Sequence, residues 1–293
     1  MSDRPDIRRL RDKIGLERTF DDVLTLRTAQ AFLATFDGDA NALRDGDPAP
    51  AGVHACLHTA LQVPTRELQA DGSDDDGGEF VSPPELPRRM RAGGGLRFHR
   101  PLRIGAPVQR RDRITGVELK QGRSGWLCFV TTQRDYHCEG ALAMSERIDA
   151  VYRGPADPTE KPAAARPSGV AASAAATSIP LVLTPAHLLR YSAITFNAHR
   201  IHFDERYAIE AEGYPGLVVH GPLQATLLLR RAIALADGET LYSLEYRSTK
   251  PLILGDAARI ASLREGKRIE LAIVGADGLP TMSATAQLRG ASA

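Results

Sequence analysis

Three of the chain's eight histidines lie within residues 191–224, beside an amide, a carboxylate and two glycine-bearing turns. They are His199, His202 and His220. The unperturbed pKa of histidine, about 6.5, lets its ring take up and release protons near neutral pH. This concentration of proton-transferring side chains indicates a general acid–base reaction, with Asn197 and Asp204 as the nearby polar groups.

Two helices are predicted to flank these residues. The first runs from Thr184 to about Ala193, and the second begins at His220-Gly221-Pro222 and continues through leucines at helical spacing. Proline is favoured just inside a helix start because the N–H that it lacks has no acceptor there anyway. Such a start presents free backbone N–H groups and the positive end of the helix dipole. An anionic oxygen could therefore bind in front of Gly221.

The loop between the two helices, residues 195–204 with the sequence TFNAHRIHFD, resembles a known catalytic loop. It is similar to the loop of the MaoC-like (R)-hydratase and dehydratase family, whose usual form is S/T-G-D-x-N-P-[LIV]-H-x-D before a helix that opens in H-G. His202 falls on the catalytic histidine of that motif. Asn197 falls where most of the family has a catalytic aspartate, and Phe196 replaces the motif glycine.

His199 and Arg200 replace the Asn-Pro of the usual motif. The resulting T-F-N-x-H-R-I-H-x-D variant resembles the two-domain subgroup that includes 3-methylfumaryl-CoA (mesaconyl-C4-CoA) hydratase. The N-terminal segment PRRMRAGGGLRFHRPLRIG also looks like that subgroup's N-terminal dehydratase-like domain. The resemblance therefore covers nearly the whole chain.

The resemblance implies a hydro-lyase that catalyses reversible syn hydration of an α,β-unsaturated acyl-CoA. In this reading His202 is the base and acid, and the N–H of Gly221 holds the charge that develops on the thioester oxygen. Asn197 would orient the water or the thioester, or else only form an Asx turn that supports the loop. Asp204 would orient His202, or else face solvent.

A second carboxylate on the substrate would need a cationic or donor-rich pocket. We assign its recognition to His199 or Arg200, with His220 and Asp204 as further substrate-binding candidates. The alternative is a solvated arginine beside a structural histidine. The phosphates of coenzyme A could be bound by Arg89, Arg97 and Arg100. The alternative is that these arginines form a charged face without a ligand.

Composition narrows the possible functions. The 293-residue chain has 43% hydrophobic and 25% charged residues, which is typical of a globular protein, and its net charge of +1 gives no case for nucleic acid or an anionic membrane surface. No run approaches 18 apolar residues, and the charged N-terminus resembles no targeting signal. Three cysteines without metal-type spacing predict reduced thiols in a cytoplasm.

No metal and no cofactor are expected, apart from the coenzyme A of the substrate. His54 and His58 have the i, i+4 spacing of a metal pair, but no partnering carboxylate motif follows, which favours a core or surface pair.

An internal repeat organises the rest of the chain. Pro101, Leu102 and Gly105 recur as Pro251, Leu252 and Gly255, at an offset of 150 residues, and alternating β-rich segments follow each copy. An Ala/Pro-rich linker over residues 154–178 would separate a first domain, 1–153, from a second, 179–293. The pattern predicts an α+β protein with meandering strands. The resemblance makes this a double hotdog, two fused hotdog domains that each wrap an antiparallel sheet around a central helix.

The local sequence predicts the structure of four further segments. Residues 1–20 are expected to be helical, 52–61 to form a buried helix, 66–78 to be a mobile loop, and the glycines at 93–95 to be a flexible turn. A short helix with Thr28 as its N-cap would end near Phe36.

The expected reaction is hydration of 3-methylfumaryl-CoA to citramalyl-CoA, or of a close C5 dicarboxylyl-CoA. The first domain would not be catalytic, because residues 36–43, which match the catalytic loop, contain no histidine. Two alternatives stay open: an (R)-3-hydroxyacyl-CoA or acyl-carrier-protein dehydratase of fatty-acid type, and a non-catalytic subunit that binds acyl thioesters. A homodimer is a further expectation.

Overall fold

A computed structural model of the chain describes residues 4–57, 63–73, 86, 88–122, 125–154 and 169–289. The described strands are β1 Glu17–Val23, β2 Arg88–Phe98, β3 Pro107–Gly122, β4 Gly125–Cys138, β5 Ala141–Arg153, β6 Thr177–Leu181, β7 Leu241–Ser248, β8 Ala258–Glu265, β9 Arg268–Gly275 and β10 Pro280–Leu288. The described α-helices are α1 Arg8–Arg11, α2 Leu26–Thr35, α3 Gly169–Ala172, α4 Pro185–Ile194, α5 Glu205–Glu210 and α6 Gly221–Leu235. None of these helices is long and apolar enough to span a membrane.

The described strands form one antiparallel sheet in the order β1-β3-β4-β5-β2-β7-β10-β9-β8-β6. The order reads the same from either end if each strand of the first half is matched with its counterpart in the second. Strands β2 and β7 pair at the centre, with Leu96 opposite Leu244, and so join the halves into one sheet. The predicted repeat and the α+β class are therefore visible in the strand order.

The repeated Pro-Leu-x-x-Gly segments occupy matching places. The carbonyl of Leu102 accepts a hydrogen bond from the N–H of Ala49, and that of Leu252 accepts one from Val219, both at 2.8 Å. Each segment thereby fixes, by a backbone hydrogen bond, the part of the chain that enters the interior of its own half.

Helix α6 is the central helix of the second half. Its buried face includes Leu223, Leu228, Leu229 and Ala232, and it packs against strands β7, β9 and β10. Burial of each leucine side chain contributes roughly 2 kcal/mol. The packing holds the helix start, Gly221, in a fixed position at the edge of the core.

The first half has no matching long helix among its described residues. The predicted buried helix over 52–61 is wrong over its described part, where a single 3₁₀ turn, Val53–Cys56, follows Gly52 at a φ of +98°. The turn ends because Leu57 is extended. Residues 58–62, with His58, lie outside the described residues.

The N-terminal predictions also need correction. Residues 17–20 are not helical, because they belong to strand β1, which pairs with β3. The N-cap of α2 is Thr25, whose hydroxyl accepts a hydrogen bond from the N–H of Thr28 at 3.1 Å. Thr28 is therefore the third helical residue and not the cap.

The C-terminal end of the predicted linker packs against the second half. Val170, on helix α3, is buried against Ala261, Ala272 and Val274 of the second half. Residues 155–168 lie outside the described residues, so the domain boundaries remain predictions. All three cysteines are buried and free.

The glycines at 93–95 lie in the middle of strand β2 and not in a turn. A Cβ on Gly94 would overlap the carbonyl oxygen of Arg147 on strand β5, and it would lie 2.6 Å from the hydroxyl of Tyr246 and 2.8 Å from its Cζ. Glycine inside a strand marks a close approach of this kind. The run therefore lets β7 side chains lie against the β2 backbone where the halves join.

We expect Gly94→Ala to lower the thermal midpoint, with a loss of about 1–3 kcal/mol in unfolding free energy, because the new methyl overlaps the Arg147 carbonyl oxygen and the Tyr246 side chain. Gly116→Ala, in strand β3, is the matched control, since a Cβ built there would lie 3.9 Å from its nearest neighbour, the Cβ of Thr131 on strand β4. Thermal unfolding of both variants measures the effect. Equal changes in the two would contradict this account of the junction.

Candidate active site

His202 lies at the end of the 3₁₀ turn Arg200–His202, between helices α4 and α5, and only 7% of its surface is exposed. Its Nδ1 is 2.7 Å from the carbonyl oxygen of Val218. A carbonyl oxygen only accepts hydrogen bonds, so Nδ1 must carry the proton. In the neutral ring the lone pair is then on Nε2, which can accept a proton from a substrate or a water.

Val218 is itself held on both sides. Its N–H donates to the carbonyl of Ile201 at 2.9 Å, one residue before His202, and it forms an isolated β-bridge with Ile253. The carbonyl that fixes the His202 tautomer is therefore attached to the repeated segment of the second half. The position of the ring depends on backbone geometry and not on a carboxylate.

His220 forms the second layer of the site. Its ring stacks on that of His202, with centroids 3.6 Å apart and planes inclined by 22°. Its Nε2 lies 2.8 Å from the hydroxyl of Ser192 on helix α4, and the residue is fully buried. The fully buried His220 ring thus supports one face of the His202 ring. Its predicted contact with substrate remains a prediction.

Burial keeps the histidines neutral. Desolvation lowers the pKa of His202 to about 3, although the Val218 carbonyl acts in the opposite direction. Desolvation also lowers the pKa of His220 well below its usual value, and that of His199, where Asp71 opposes the shift. A neutral His202 is the form that a general base requires.

The start of helix α6 adjoins this pair, because Gly221 directly follows His220. The N–H of Gly221 has no hydrogen-bond partner among the described residues, and a Cβ built on Gly221 would meet no atom within 4 Å. Helix N-termini with free N–H groups bind anionic oxygens. The geometry leaves Gly221 available for the oxyanion role, which remains a prediction.

Asn197 forms the predicted Asx turn. Its Oδ1 accepts a hydrogen bond from the N–H of His199 at 2.9 Å, whereas its amide nitrogen has no partner in the described part of the chain. The preceding residue, Phe196, has a φ of +50°, the conformation for which the usual motif supplies glycine. A supporting role for Asn197 is thus observed, and its Nδ2 group stays available for the predicted catalytic one.

Asp204 does not orient His202, so that hypothesis is wrong. One of its oxygens caps helix α5 by accepting from the N–H of Tyr207 at 3.0 Å, and the other accepts from Arg200 at 2.8 and 3.1 Å. A carboxylate at a helix N-terminus is favoured by the free N–H groups there. The Val218 carbonyl occupies the place that the hypothesis gave to Asp204.

Arg200 is held away from a substrate role. Besides Asp204, its guanidinium donates to the carbonyl of Ala70 at 3.2 Å and lies 4.0 Å above the ring of Tyr207. These contacts use each of its three nitrogens, so they compete with a bidentate grip on a substrate carboxylate. Its predicted role in recognising the distal carboxylate is not supported by this geometry.

A segment of the first half packs on the catalytic loop. The N–H of Arg200 donates to the carbonyl of Asp71 at 2.8 Å, and the Asp71 carboxylate lies 3.5 Å from Nε2 of His199. Gly72, at a φ of +80°, sits so close to Ala198 that a Cβ would overlap the Ala198 carbonyl oxygen. The described part of the predicted mobile loop, 66–73, is therefore docked on the site; residues 74–78 lie outside the described residues.

The three arginines predicted to bind coenzyme A do not form one patch. A bulge at Ala92 puts Arg89 and Arg97 on opposite faces of strand β2, and eight residues separate them by about 25 Å. Arg97 is exposed and lies over the ring of Tyr242, and Arg100 is exposed in the following loop. Arg89 alone is near the site, where its charge helps to lower the pKa of His199.

Several site residues escaped the sequence reasoning. Val218 acts through its backbone carbonyl, which leaves no side-chain signature. Ser192 and Tyr191 point inward from helix α4, and their burial could have been found from the helical period of the first flanking helix. Asp71 lies in the other half of the chain, and no sequence pattern links it to His199.

Comparison with known proteins identifies relatives of the whole chain. A model of the family described as hydroxyacyl-thioester dehydratase type 2 matches residues 52–254. The chain is 39% identical over 277 residues to the mesaconyl-C(4)-CoA hydratase of Chloroflexus aurantiacus, with 94% of this chain and 97% of that protein aligned.

Solved structures share the architecture. A MaoC-like dehydratase from Phytophthora capsici superposes with a TM-score of 0.69 at 14% identity, covering 96% of this chain and 99% of that one. A Mycobacterium tuberculosis protein described as a double hotdog fold superposes with a TM-score of 0.60 at 13% identity, covering 94% and 96%. The predicted double hotdog is confirmed.

We expect Gly72→Ala to lower kcat/KM at least tenfold, because the new methyl overlaps the Ala198 carbonyl and pushes the docked segment off the catalytic loop. Gly46→Ala is the control: Gly46 has a similar φ, +86°, but no atom within 4 Å of its Cβ position. Initial rates of enoyl-thioester hydration measure both variants. An equal loss in the two would assign the effect to backbone strain instead of docking.

Proposed function

This chain belongs to the hydroxyacyl-thioester dehydratase type 2 family, and we propose that it hydrates 3-methylfumaryl-CoA to citramalyl-CoA with His202 as general base and acid. The protein is a hydro-lyase that acts on acyl-CoA thioesters. The observation that carries the catalytic assignment is the 2.7 Å hydrogen bond from Nδ1 of His202 to the Val218 carbonyl. That bond leaves the lone pair on Nε2, in a ring that stacks on His220, the N-cap of helix α6.

The proposed reaction adds one water across the C2=C3 double bond. Nε2 of His202 takes a proton from water while the water oxygen bonds to C3, and the π electrons move toward the thioester carbonyl. The N–H of Gly221 donates to the negative oxygen that forms. The His202 imidazolium then returns the proton to C2 on the same face, so a single histidine serves both steps of a syn addition.

Asn197 has a defined part in this scheme. Its Oδ1 is engaged by the N–H of His199, so the Nδ2 group is the one that can donate to the attacking water or to the thioester. An amide cannot take up a proton at neutral pH, which leaves proton transfer to His202 alone. The tautomer imposed by Val218 supports this division of roles without a carboxylate.

The substrate proposal rests on the 39% identity with mesaconyl-C(4)-CoA hydratase over nearly the full length of both chains. A fatty-acid type dehydratase and a non-catalytic binding subunit are not favoured by that similarity. His202 is neutral and lies near a helix start whose first N–H group is unbonded among the described residues. Both features favour catalysis over binding alone.

We further propose one active site per chain, in the second half. The matching region of the first half, residues 36–43, contains the 3₁₀ turn Ala40–Ala42 and no histidine. The first half contributes the docked segment at Asp71 instead. A homodimer, a cytoplasmic location and the lack of a cofactor remain predictions from the sequence.

We expect His202→Gln to lower kcat for 3-methylfumaryl-CoA roughly 10³-fold, because glutamine cannot accept the water proton. Loss of absorbance of the conjugated thioester measures the rate. His99→Gln is the matched control, since His99 is exposed in the first half, and it should keep the wild-type rate. A His202→Gln rate within tenfold of wild type would remove His202 from the mechanism.

A further inference from the structure

The interior of the first half carries charges where the second half carries apolar side chains. At the repeat offset of 150 residues, Arg91 corresponds to Leu241, and each lies next to a bulge in its strand. Glu146, which pairs with Leu96, corresponds to Ala284, which pairs with Tyr246. The same backbone therefore encloses an Arg–Glu pair in one copy and a Leu–Ala pair in the other.

Burying this charged pair costs desolvation free energy. Glu146 has 7% and Arg91 25% of its side-chain surface exposed. A buried ion pair is often no more stabilising than apolar residues of similar volume, and Leu241 and Ala284 show that this fold accepts the apolar solution. The charges therefore call for a functional explanation.

The groups around Glu146 favour its ionised form. Burial raises its pKa, but His54, Arg134 and Arg91 together bring it below the ordinary value. One of its oxygens accepts a hydrogen bond from the Tyr136 hydroxyl at 3.1 Å. The other faces Arg91.

Arg91 is held in place, but most of its hydrogen-bond donors are not used. Its Nη1 donates to the hydroxyl of Tyr246 at 3.2 Å, and its distance to the nearest Glu146 oxygen, 3.7 Å, is too long for a hydrogen bond. A guanidinium carries five N–H donors, and in the described part of the chain the others have no acceptor. Arg91 thus presents a fixed cation with free donors inside the molecule.

Arg91 lies two residues beyond Arg89 on the same face of strand β2, and Arg89 is near His199. Tyr246, to which Arg91 donates, belongs to the same buried cluster as Tyr191. Tyr191 packs edge-on against His220, with centroids 5.1 Å apart, and His220 stacks on His202. The Tyr191 hydroxyl is buried beside Thr226 and forms no full hydrogen bond with a described residue, and the charges of Arg91 and Glu146 both act on it. A phenol without a full hydrogen bond and a guanidinium with free donors therefore lie in the same interior region as the catalytic histidine pair.

We propose that Arg91, supported by Tyr246 and with Tyr191 beside it, binds the free carboxylate of the acyl group and thereby selects dicarboxylyl-CoA substrates. The inference rests on the proposed function, because it concerns the acyl group that His202 hydrates. It transfers carboxylate recognition from Arg200, whose donors are engaged at the surface, to an arginine in the interior of the first half.

The chemistry of the substrate fits this assignment. In 3-methylfumaryl-CoA the free carboxylate is attached to C3, the carbon that the water attacks. Enclosing that carboxylate without a cation would leave an unpaired buried charge, whereas a guanidinium can bind it through two parallel hydrogen bonds. Tyr246 fixes Arg91 in advance, so fewer side-chain rotations are lost on binding.

The test uses two saturated thioesters that differ only at the branch. Methylsuccinyl-CoA, with the thioester remote from the methyl branch, carries the carboxylate, and isovaleryl-CoA has a methyl group in its place. Calorimetry would measure the Kd of each for wild type, for Arg91→Leu and for the double variant Arg91→Leu with Glu146→Ala. The double variant installs the pair found in the second half, so it leaves no unpaired Glu146 if the single variant is unstable.

We expect both variants to weaken methylsuccinyl-CoA binding about 100-fold relative to isovaleryl-CoA, the scale of losing a charge-assisted pair. Arg113→Leu, at an exposed arginine of strand β3, should bind both thioesters as wild type does. An unchanged ratio, or equal weakening for both thioesters in the folded double variant, would overturn the assignment.

Hydration of 3-methylfumaryl-CoA by wild type separates this inference from the function it rests on. Carboxylate-selective binding that depends on Arg91, without any hydration, would contradict the proposed reaction and keep the Arg91 site. Hydration that proceeds at the wild-type rate in the double variant would keep the reaction and overturn the Arg91 site.

Discussion

The hydrogen bond from His202 to the Val218 carbonyl is the constraint on which the rest of the site depends. It decides which ring nitrogen carries the proton, and it does so with a backbone group whose own position is set by Ile201 and Ile253. A general base needs a partner that fixes its tautomer, and a carbonyl meets that need without adding a charge. The chain can therefore place Asn197 where an aspartate is usual and still keep a base.

The two copies of the fold differ in the side chains that fill their interiors. The second half keeps an apolar interior around helix α6, which holds the helix start next to the stacked His202 and His220 rings. In the described part of the first half a 3₁₀ turn stands where the second half has the start of helix α6, and the interior of the first half holds the polar groups Arg91 and Glu146. The second half keeps the apolar core that positions its site.

The sequence predicted the features that local physics dictates. Thr184 and the His220-Gly221-Pro222 start have strong terminal preferences, and both helices begin where expected. It failed where partners come from elsewhere in the chain. The glycines at 93–95 look like a turn until the Tyr246 ring is seen against them. Arg200 looks like a ligand-binding group until its contacts with Asp204 and Ala70 are known.

The most direct test is the protonation state of His202, measured by nitrogen NMR of histidine-labelled protein, with His202→Gln to assign the signal. We expect a neutral ring with the proton on Nδ1 from about pH 8 down to about pH 5, because burial lowers the pKa of His202 from 6.5 to about 3. The folded state should then lose stability as the pH falls below 6.5, since the unfolded chain takes up the proton first. Titration of His202 near pH 6.5, or a proton on Nε2, would contradict the account.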